Sequence, residues 1–315
     1  MKKIVLIGGE GFLGKNLQNT FLRRCTNKWS ENYVVYSISR RNGYDLLEKN
    51  EIKKLLIKVK PDYIVNCAAS VGSLEYVNQH PADIITNNIL LGISLWEILK
   101  DVNYKGVVIN PISNCTYPGS ADVQKEDEWW NGMVHPSIIS YGSAKKTIFM
   151  INKCYEKQYG IKTINLIMPN SYGEFDYDDE NKVHALNGII IRMLKMVKEG
   201  KKDFVVWGSG TPYREWGYMP DTARLIKEII DNDITDLPNP INVARNFAYS
   251  INEIANIIKS YIDDDIVISN DLTKMDGDPM KILDAELFKK HFPKFKFTDL
   301  SNGIKNTINH YKPRI

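Results

Sequence analysis

Short apolar runs alternate along the chain with longer stretches in which apolar residues recur every three or four positions. Lys3–Ile7, Tyr33–Ile38, Tyr63–Asn66, Val107–Asn110 and Thr163–Ile167 are brief and β-rich, which predicts buried strands. Leu13–Phe21, Glu51–Val59 and Asp83–Leu99 carry helical spacing and lie between them. Strands buried on both faces and alternating with helices predict a parallel sheet covered on each side. The expectation is a doubly wound α/β domain over residues 1–168. The helix around Asp83–Leu99 is apolar nearly all round, so more than one neighbour must cover it; that means core burial or a subunit interface. Beyond about Pro169 the alternation weakens and loops grow richer in Asp, Asn, Gly and Pro. Residues 169–315 therefore read mainly as a smaller substrate-binding lobe, with segments around 215–245 returning to the sheet.

Composition narrows the class without naming a partner. Of 315 residues, 43% are hydrophobic and 25% charged, and 41 Lys+Arg against 38 Asp+Glu leave a net charge of +3. These are the proportions of a folded globular protein, and no basic run suggests nucleic-acid binding. Lys2-Lys3 followed by Ile4–Ile7 begins like a signal peptide, but the apolar run stops at Gly8-Gly9. No run reaches the ~20 consecutive apolar residues of a membrane span. Cys25, Cys67, Cys115 and Cys154 are scattered without a CxxC pair. That suits a reducing cytoplasm, and no metal site is expected.

The first predicted strand runs into Gly8-Gly9-Glu10-Gly11-Phe12-Leu13-Gly14. Glycines after a strand and before a helix permit a tight turn and close approach to a pyrophosphate, which then sits on the free N–H groups of the helix. Two glycine spacings fit, one from Gly8 and one from Gly9, both through Gly11 and Gly14. This context makes the doubly wound sheet Rossmann-type. At the end of the second strand, where an NAD site would place Asp or Glu, stand Arg40 and Arg41. Paired arginines suit a 2′-phosphate, so NADP(H) is the expected cofactor.

Tyr141 and Lys145 are four apart, one above the other on a helix. A nearby ammonium stabilises phenolate and should lower the tyrosine pKa. Such a tyrosine can protonate a carbonyl oxygen as hydride reaches the carbon. Ser113, at a strand end, could hydrogen-bond the same oxygen.

With these residues the sequence resembles the extended short-chain dehydrogenase/reductases, whose spacing is that of Gly8, Gly11 and Gly14. Further segments are similar to those of the GDP-L-fucose synthase family: Ala68-Ala69-Ser70-Val71-Gly72, Ser113-Asn114-Cys115-Thr116-Tyr117-Pro118, Asn170-Ser171-Tyr172-Gly173, Trp207 to Glu215, and Asp276 to Asp284. The resemblance covers nearly the whole chain. It implies an NADPH-dependent enzyme acting on a GDP-linked keto sugar, in nucleotide-sugar biosynthesis for surface polysaccharide, and a homodimer. It implies Ser113, Tyr141 and Lys145 as the reductase triad, and Cys115 and His184 as acid and base for epimerisation at carbons 3 and 5. Ala68 and Ala69 fall with the cofactor; Val71, Gly72, Asn170, Arg192, Trp207, Arg214 and Lys281 fall with the substrate. Cys and His have reference pKa values of about 8.5 and 6.5, so tuned by their surroundings both can exchange protons near neutrality.

Departures from the family pattern bear on the sugar. Asn114 replaces a small Ser, Met280 an Arg, and Trp129-Trp130 is bulky beside the expected pocket rim. The loop Glu174–Lys182 is acidic through Glu174, Asp176, Asp178, Asp179 and Glu180, and is expected to be solvated. A reductase of a GDP-4-keto-heptose without epimerase activity is the alternative enzyme; a non-catalytic NADP(H)-sensing protein is the alternative of another class. A sugar 4,6-dehydratase would carry Asp-Glu where Asn114-Cys115 stands, and a UDP-sugar 4-epimerase would favour an acidic residue near Arg40.

Overall fold

The computed structural model describes residues 1–22, 32–119, 121, 123–179 and 182–315. Cys25 and Glu180 lie outside the described residues. The first part of the chain gives β1 (Lys2–Ile7), α1 (Phe12–Leu22), β2 (Tyr33–Ile38), α2 (Asn50–Val59), β3 (Tyr63–Asn66), α3 (Leu74–Gln79), α4 (Pro81–Asp101), β4 (Val107–Ser113), α5 (Ile139–Tyr159) and β5 (Lys162–Met168). The remainder gives β6 (Asn170–Tyr172), α6 (Ala185–Lys198), β7 (Asp203–Trp207), β8 (Tyr213–Tyr218), α7 (Met219–Asp231), β9 (Ile241–Asn242), β10 (Ala248–Ser250), α8 (Ile251–Ile262), β11 (Val267–Asp271), β12 (Met280–Lys281), α9 (Glu286–His291) and α10 (Leu300–Tyr311).

The main sheet has the order β2-β1-β3-β4-β5-β9 and is parallel throughout. Alternation across the strands explains why it needs two covers. In β1, Ile4 and Leu6 pack with α1 and α7, while Val5 and Ile7 pack with α2 and α4; each is at most 2% exposed. The row Asn66, Asn110 and Asn165 crosses β3, β4 and β5 in register. Asn66 donates to Asn110 at 3.0 Å, Asn110 to Asn165 at 2.8 Å, and Asn165 to Asn239 at 2.8 Å. Each amide thus satisfies the next inside the core, which removes the cost of burying it.

β4 runs three residues beyond the expected strand end, to Ser113, because its pairing with β5 continues to Met168. α4 is long and apolar enough to cross a membrane by length and composition alone; counting uninterrupted apolar residues misses this. Leu95, Trp96, Ile98 and Leu99 instead fill the core, whereas Leu90 and Ile93 are 45% and 37% exposed.

The smaller lobe is built on a sheet in which β8 pairs with β10, β12 and β6, and on the separate parallel pair β7–β11. Its own core gathers residues of α6, α8 and α10. α7 and β9 lie on the main sheet, so the chain returns to it after β8. α9, expected within the lobe, also packs there, through Phe288 and Phe292. Glu215 on β8, fully buried, ties these parts together: its carboxylate accepts from Arg245 N at 2.5 Å and Leu283 N at 2.9 Å.

Candidate active site

A cavity of about 740 Å³ opens where the C-terminal ends of β1, β3 and β4 meet the lobe. Ligand sites belong at this end of an open parallel sheet. At its nucleotide side, Gly8 has φ +77°, and a Cβ there would lie 2.8 Å from Ala68 N; at Gly14 one would lie 2.4 Å from Gly9 O. Side chains are therefore excluded at Gly8 and Gly14, and Gly11, with Phe12 and Leu13 at the start of α1, lines the cavity with Ala68 and Ala69. The first turn of α1 holds no acidic residue, so its free N–H groups are open to a phosphate. This cradle fits a dinucleotide. Arg40 and Arg41 do not line the cavity. They sit exposed on a short turn after β2, which Asn42 fixes by accepting from Ser39 N at 2.6 Å and donating to Ser37 O at 2.9 Å.

Ser113, Cys115, Tyr141, Lys145 and His184 all line this one cavity. Ser113 ends β4, and its hydroxyl accepts from Cys115 N at 3.2 Å. α5 approaches that turn closely because Gly142 has no side chain; a Cβ would meet Cys115 O at 2.4 Å. Lys145 is 5% exposed, with its ammonium 5.6 Å from the centre of the Tyr141 ring. Burial lowers its pKa to about 8, against the opposing pull of Cys67. The tyrosine itself runs against the expectation from spacing. Burial raises its pKa, Cys115 adds to that, and Lys145 does not reverse it. The hydroxyl, protonated near neutrality at its ordinary pKa of about 10, is thereby a weaker acid than the spacing suggests.

Val71, Gly72, Asn170, Arg192, Trp207, Arg214 and Lys281, the residues expected at the substrate, line the cavity too. Asn114 Nδ2 donates to Asn170 Oδ1 at 3.3 Å, and Ser113 Oγ to Asn114 Oδ1 at 3.4 Å, so the departure at Asn114 links Ser113 to Asn170. The Arg192 guanidinium lies 4.3 Å from the Trp207 ring centre and the Lys274 ammonium 5.5 Å from it. Lys281, 4% exposed, donates to Cys115 Sγ at 3.4 Å. Burial holds the Arg214 guanidinium below its ordinary value, partly offset by Asp278.

Two expectations about the rim are corrected. Trp129 is fully buried away from the cavity, donating to Thr116 Oγ1 at 2.7 Å, and Trp130 does not line the cavity either. The acidic loop is not simply solvated. Asp176 is inside, with its side chain 0% exposed and 3.0 Å from His184 Nδ1, and Glu174 accepts from Tyr218 OH at 2.8 Å. Sequence reading also passed over Cys67, which lines the cavity. Its thiol is pushed up by burial and pulled back by Lys145.

A sequence profile of the NAD dependent epimerase/dehydratase family matches residues 4–244. The chain is 29% identical to the GDP-L-colitose synthase of Yersinia pseudotuberculosis over 311 residues, 98% of this chain and 97% of that one. A GDP-mannoheptose C4 reductase from Campylobacter jejuni, solved with NADP bound, superposes with a TM-score of 0.80 at 25% identity, covering 99% of this chain and 98% of that one. A GDP-L-fucose synthetase from Naegleria fowleri bound to NADP shares the fold, with a TM-score of 0.84 at 24% identity over 99% of this chain and 93% of that one. A profile match running from β1 to just past β9, across the glycine turn, Ser113, Tyr141 and Lys145, means that the chain belongs to the NAD dependent epimerase/dehydratase family.

Proposed function

We propose that this protein is an NADPH-dependent reductase acting at carbon 4 of a GDP-linked 4-keto sugar, with epimerisation at carbons 3 and 5 as a second activity of the same cavity. The observation that carries the reading is the convergence of Ser113, Tyr141 and Lys145 with Cys115 and His184 on one cavity. Likeness to the GDP-L-colitose synthase and to the NADP-bound GDP-mannoheptose C4 reductase supports the substrate and cofactor classes.

NADPH, when bound, supplies the hydride. The α1 N-terminus and the glycine turn would hold its phosphates, and Arg40 and Arg41, on the exposed turn after β2, would meet the 2′-phosphate. Ser113 and Tyr141 hydrogen-bond the carbonyl oxygen at carbon 4, and Tyr141 gives it a proton as hydride arrives. The Lys145 ammonium, present below about pH 8, stabilises the phenolate left behind. The same carbonyl acidifies the protons on carbons 3 and 5, so Cys115 and His184 can remove and return them before reduction. Arg192, Arg214 and Lys281 supply the cations that a nucleoside diphosphate requires.

A second reading, reduction of a GDP-4-keto-heptose without epimerisation, is favoured by Asn114 and by likeness to the heptose reductase. We also propose a cytoplasmic homodimer serving surface-polysaccharide synthesis, paired through the apolar residues that α4 and α5 expose, among them Leu90, Ile93 and Met150. The reaction run in heavy water distinguishes the readings. Deuterium at carbons 3 and 5 of the product is expected; competent reduction without it would leave a plain reductase. GDP-hexose and GDP-heptose ketones assayed side by side identify the sugar.

A further inference from the structure

Asp176 is enclosed by parts of the chain far apart in sequence. Its carboxylate accepts from His184 Nδ1 at 3.0 Å, from His184 N at 2.9 Å and from Asn187 Nδ2 at 2.9 Å. Its carbonyl accepts from Tyr311 OH, on α10, at 3.1 Å. The preceding residue, Phe175, is held at φ +71°, which costs roughly 1 kcal/mol or more for a non-glycine residue. That backbone is locked from both sides: Phe175 N donates to His310 Nε2 at 3.3 Å, and Asn187 brackets Gly173 through its N–H and carbonyl. A solvated acidic loop needs none of this.

From these contacts we propose that Asp176 is the positioning residue of the candidate proton donor His184: its carboxylate fixes the imidazole through Nδ1, so that Nε2 presents a proton to the cavity. The proposal rests on the epimerase reading of His184. In the step it serves, the Nε2–H bond breaks and the proton forms a C–H bond at the enolate carbon of the sugar. The imidazolium becomes neutral imidazole, still donating Nδ1–H to Asp176.

The surroundings of His184 agree. Burial pushes its pKa down, but the charge and hydrogen bond of Asp176 push it up, and the net effect is a rise above the ordinary 6.5. From α1 it meets the ring of Phe12, with centroids 5.2 Å apart. Tyr311 of α10 reaches Asp176 rather than the imidazole. Arg192, on α6, which begins just after His184, shares the cavity with Tyr141, Lys145 and Cys115. Among the described residues, Asp176 supplies the charge that raises the imidazole pKa.

The test is an NMR titration of histidine-labelled full-length protein, with the five histidines resolved by assigning His184 through its loss in His184→Gln. In wild type the His184 midpoint should lie above 6.5; a midpoint at or below 6.5 overturns the proposal even if no variant folds. Asp176→Asn keeps the size and an acceptor for His184 N but removes the charge. It should lower the midpoint by about one unit or more, a tenfold loss of imidazolium at a pH above both midpoints, and Asp176→Glu should restore part of it. A variant that binds NADPH normally yet titrates like wild type would reduce Asp176 to a helix cap and overturn the proposal. The same variants are assayed for solvent-deuterium wash-in at carbons 3 and 5. Asp176→Asn should slow wash-in and shift its pH profile toward acid. Absence of wash-in in wild type, with the titration difference intact, would sink the donor role of His184 while the coupling stands, so the two failures are distinguishable.

Discussion

In the proposed reduction, Tyr141 and Lys145 divide the work at carbon 4 through their different environments. Burial raises the tyrosine pKa, while it lowers that of the lysine to about 8. Tyr141→Phe should lower NADPH consumption by roughly 10²-fold or more while leaving NADPH affinity near wild type; near-normal turnover would refute the triad. Lys145 carries its charge below about pH 8 and loses it as the pH rises through that value. The rate of reduction should therefore fall on the alkaline side, and Lys145→Met should be slow with that limb abolished. Arg40→Ser with Arg41→Ser should raise the KM for NADPH by about tenfold or more, the scale of a lost charge-assisted hydrogen bond, with little effect on NADH. The convergence of Ser113, Tyr141 and Lys145 on one cavity was legible because i,i+4 spacing and a strand end are local features. Asp176 was not. Its composition is that of a solvated acidic loop, and its burial depends on Tyr311, 135 residues away. The lowered tyrosine pKa was misread for a related reason: spacing brings the ammonium near but says nothing of how deeply the hydroxyl is buried.

At the level of elements, the β1–α1 turn and the α4–α5 pair carry the account. Gly8→Ala would force a side chain into a left-handed turn and against Ala68. Thermal unfolding should report a loss of more than ~1 kcal/mol, and NADPH affinity should fall with it. Leu90→Glu with Met150→Glu places charges on the exposed apolar face of α4 and α5. Light scattering should report the proposed dimer for the native protein and a monomer for this variant. Strand and helix positions were readable because burial on both sheet faces imposes continuous apolar runs. The Asn66–Asn110–Asn165 row was not, because strand register joins those residues and no local pattern marks them. The place of α9 was hidden in the same way: Phe288 and Phe292 declare a buried face but not which core receives it.

Across the whole molecule, a net charge of only +3 conceals a site rich in cations, since Lys145, Arg192, Arg214, Lys274 and Lys281 all border one cavity. The lobe that supplies most of them is stitched to the returning segments by Glu215, whose carboxyl burial pushes up to about 7, opposed by its backbone hydrogen bonds. Above its ordinary value of 4.5 the unfolded chain has released this proton while the native state still holds it. Stability from this group is therefore full below about 4.5, declines as the pH rises, and is gone above about 7, a swing on the order of 3 kcal/mol at most. In Glu215→Gln the dependence of the melting temperature on pH between 5 and 7 should flatten. Hydride delivery from NADPH to carbon 4 of a GDP-linked keto sugar is tested most directly with NADPH carrying deuterium at both C4 positions of the nicotinamide and mass spectrometry of the product. One deuterium at carbon 4 of the sugar, in proportion to NADPH consumed, is the expected result; consumption without deuterium at that carbon, or no consumption with any GDP-4-keto sugar, would contradict it.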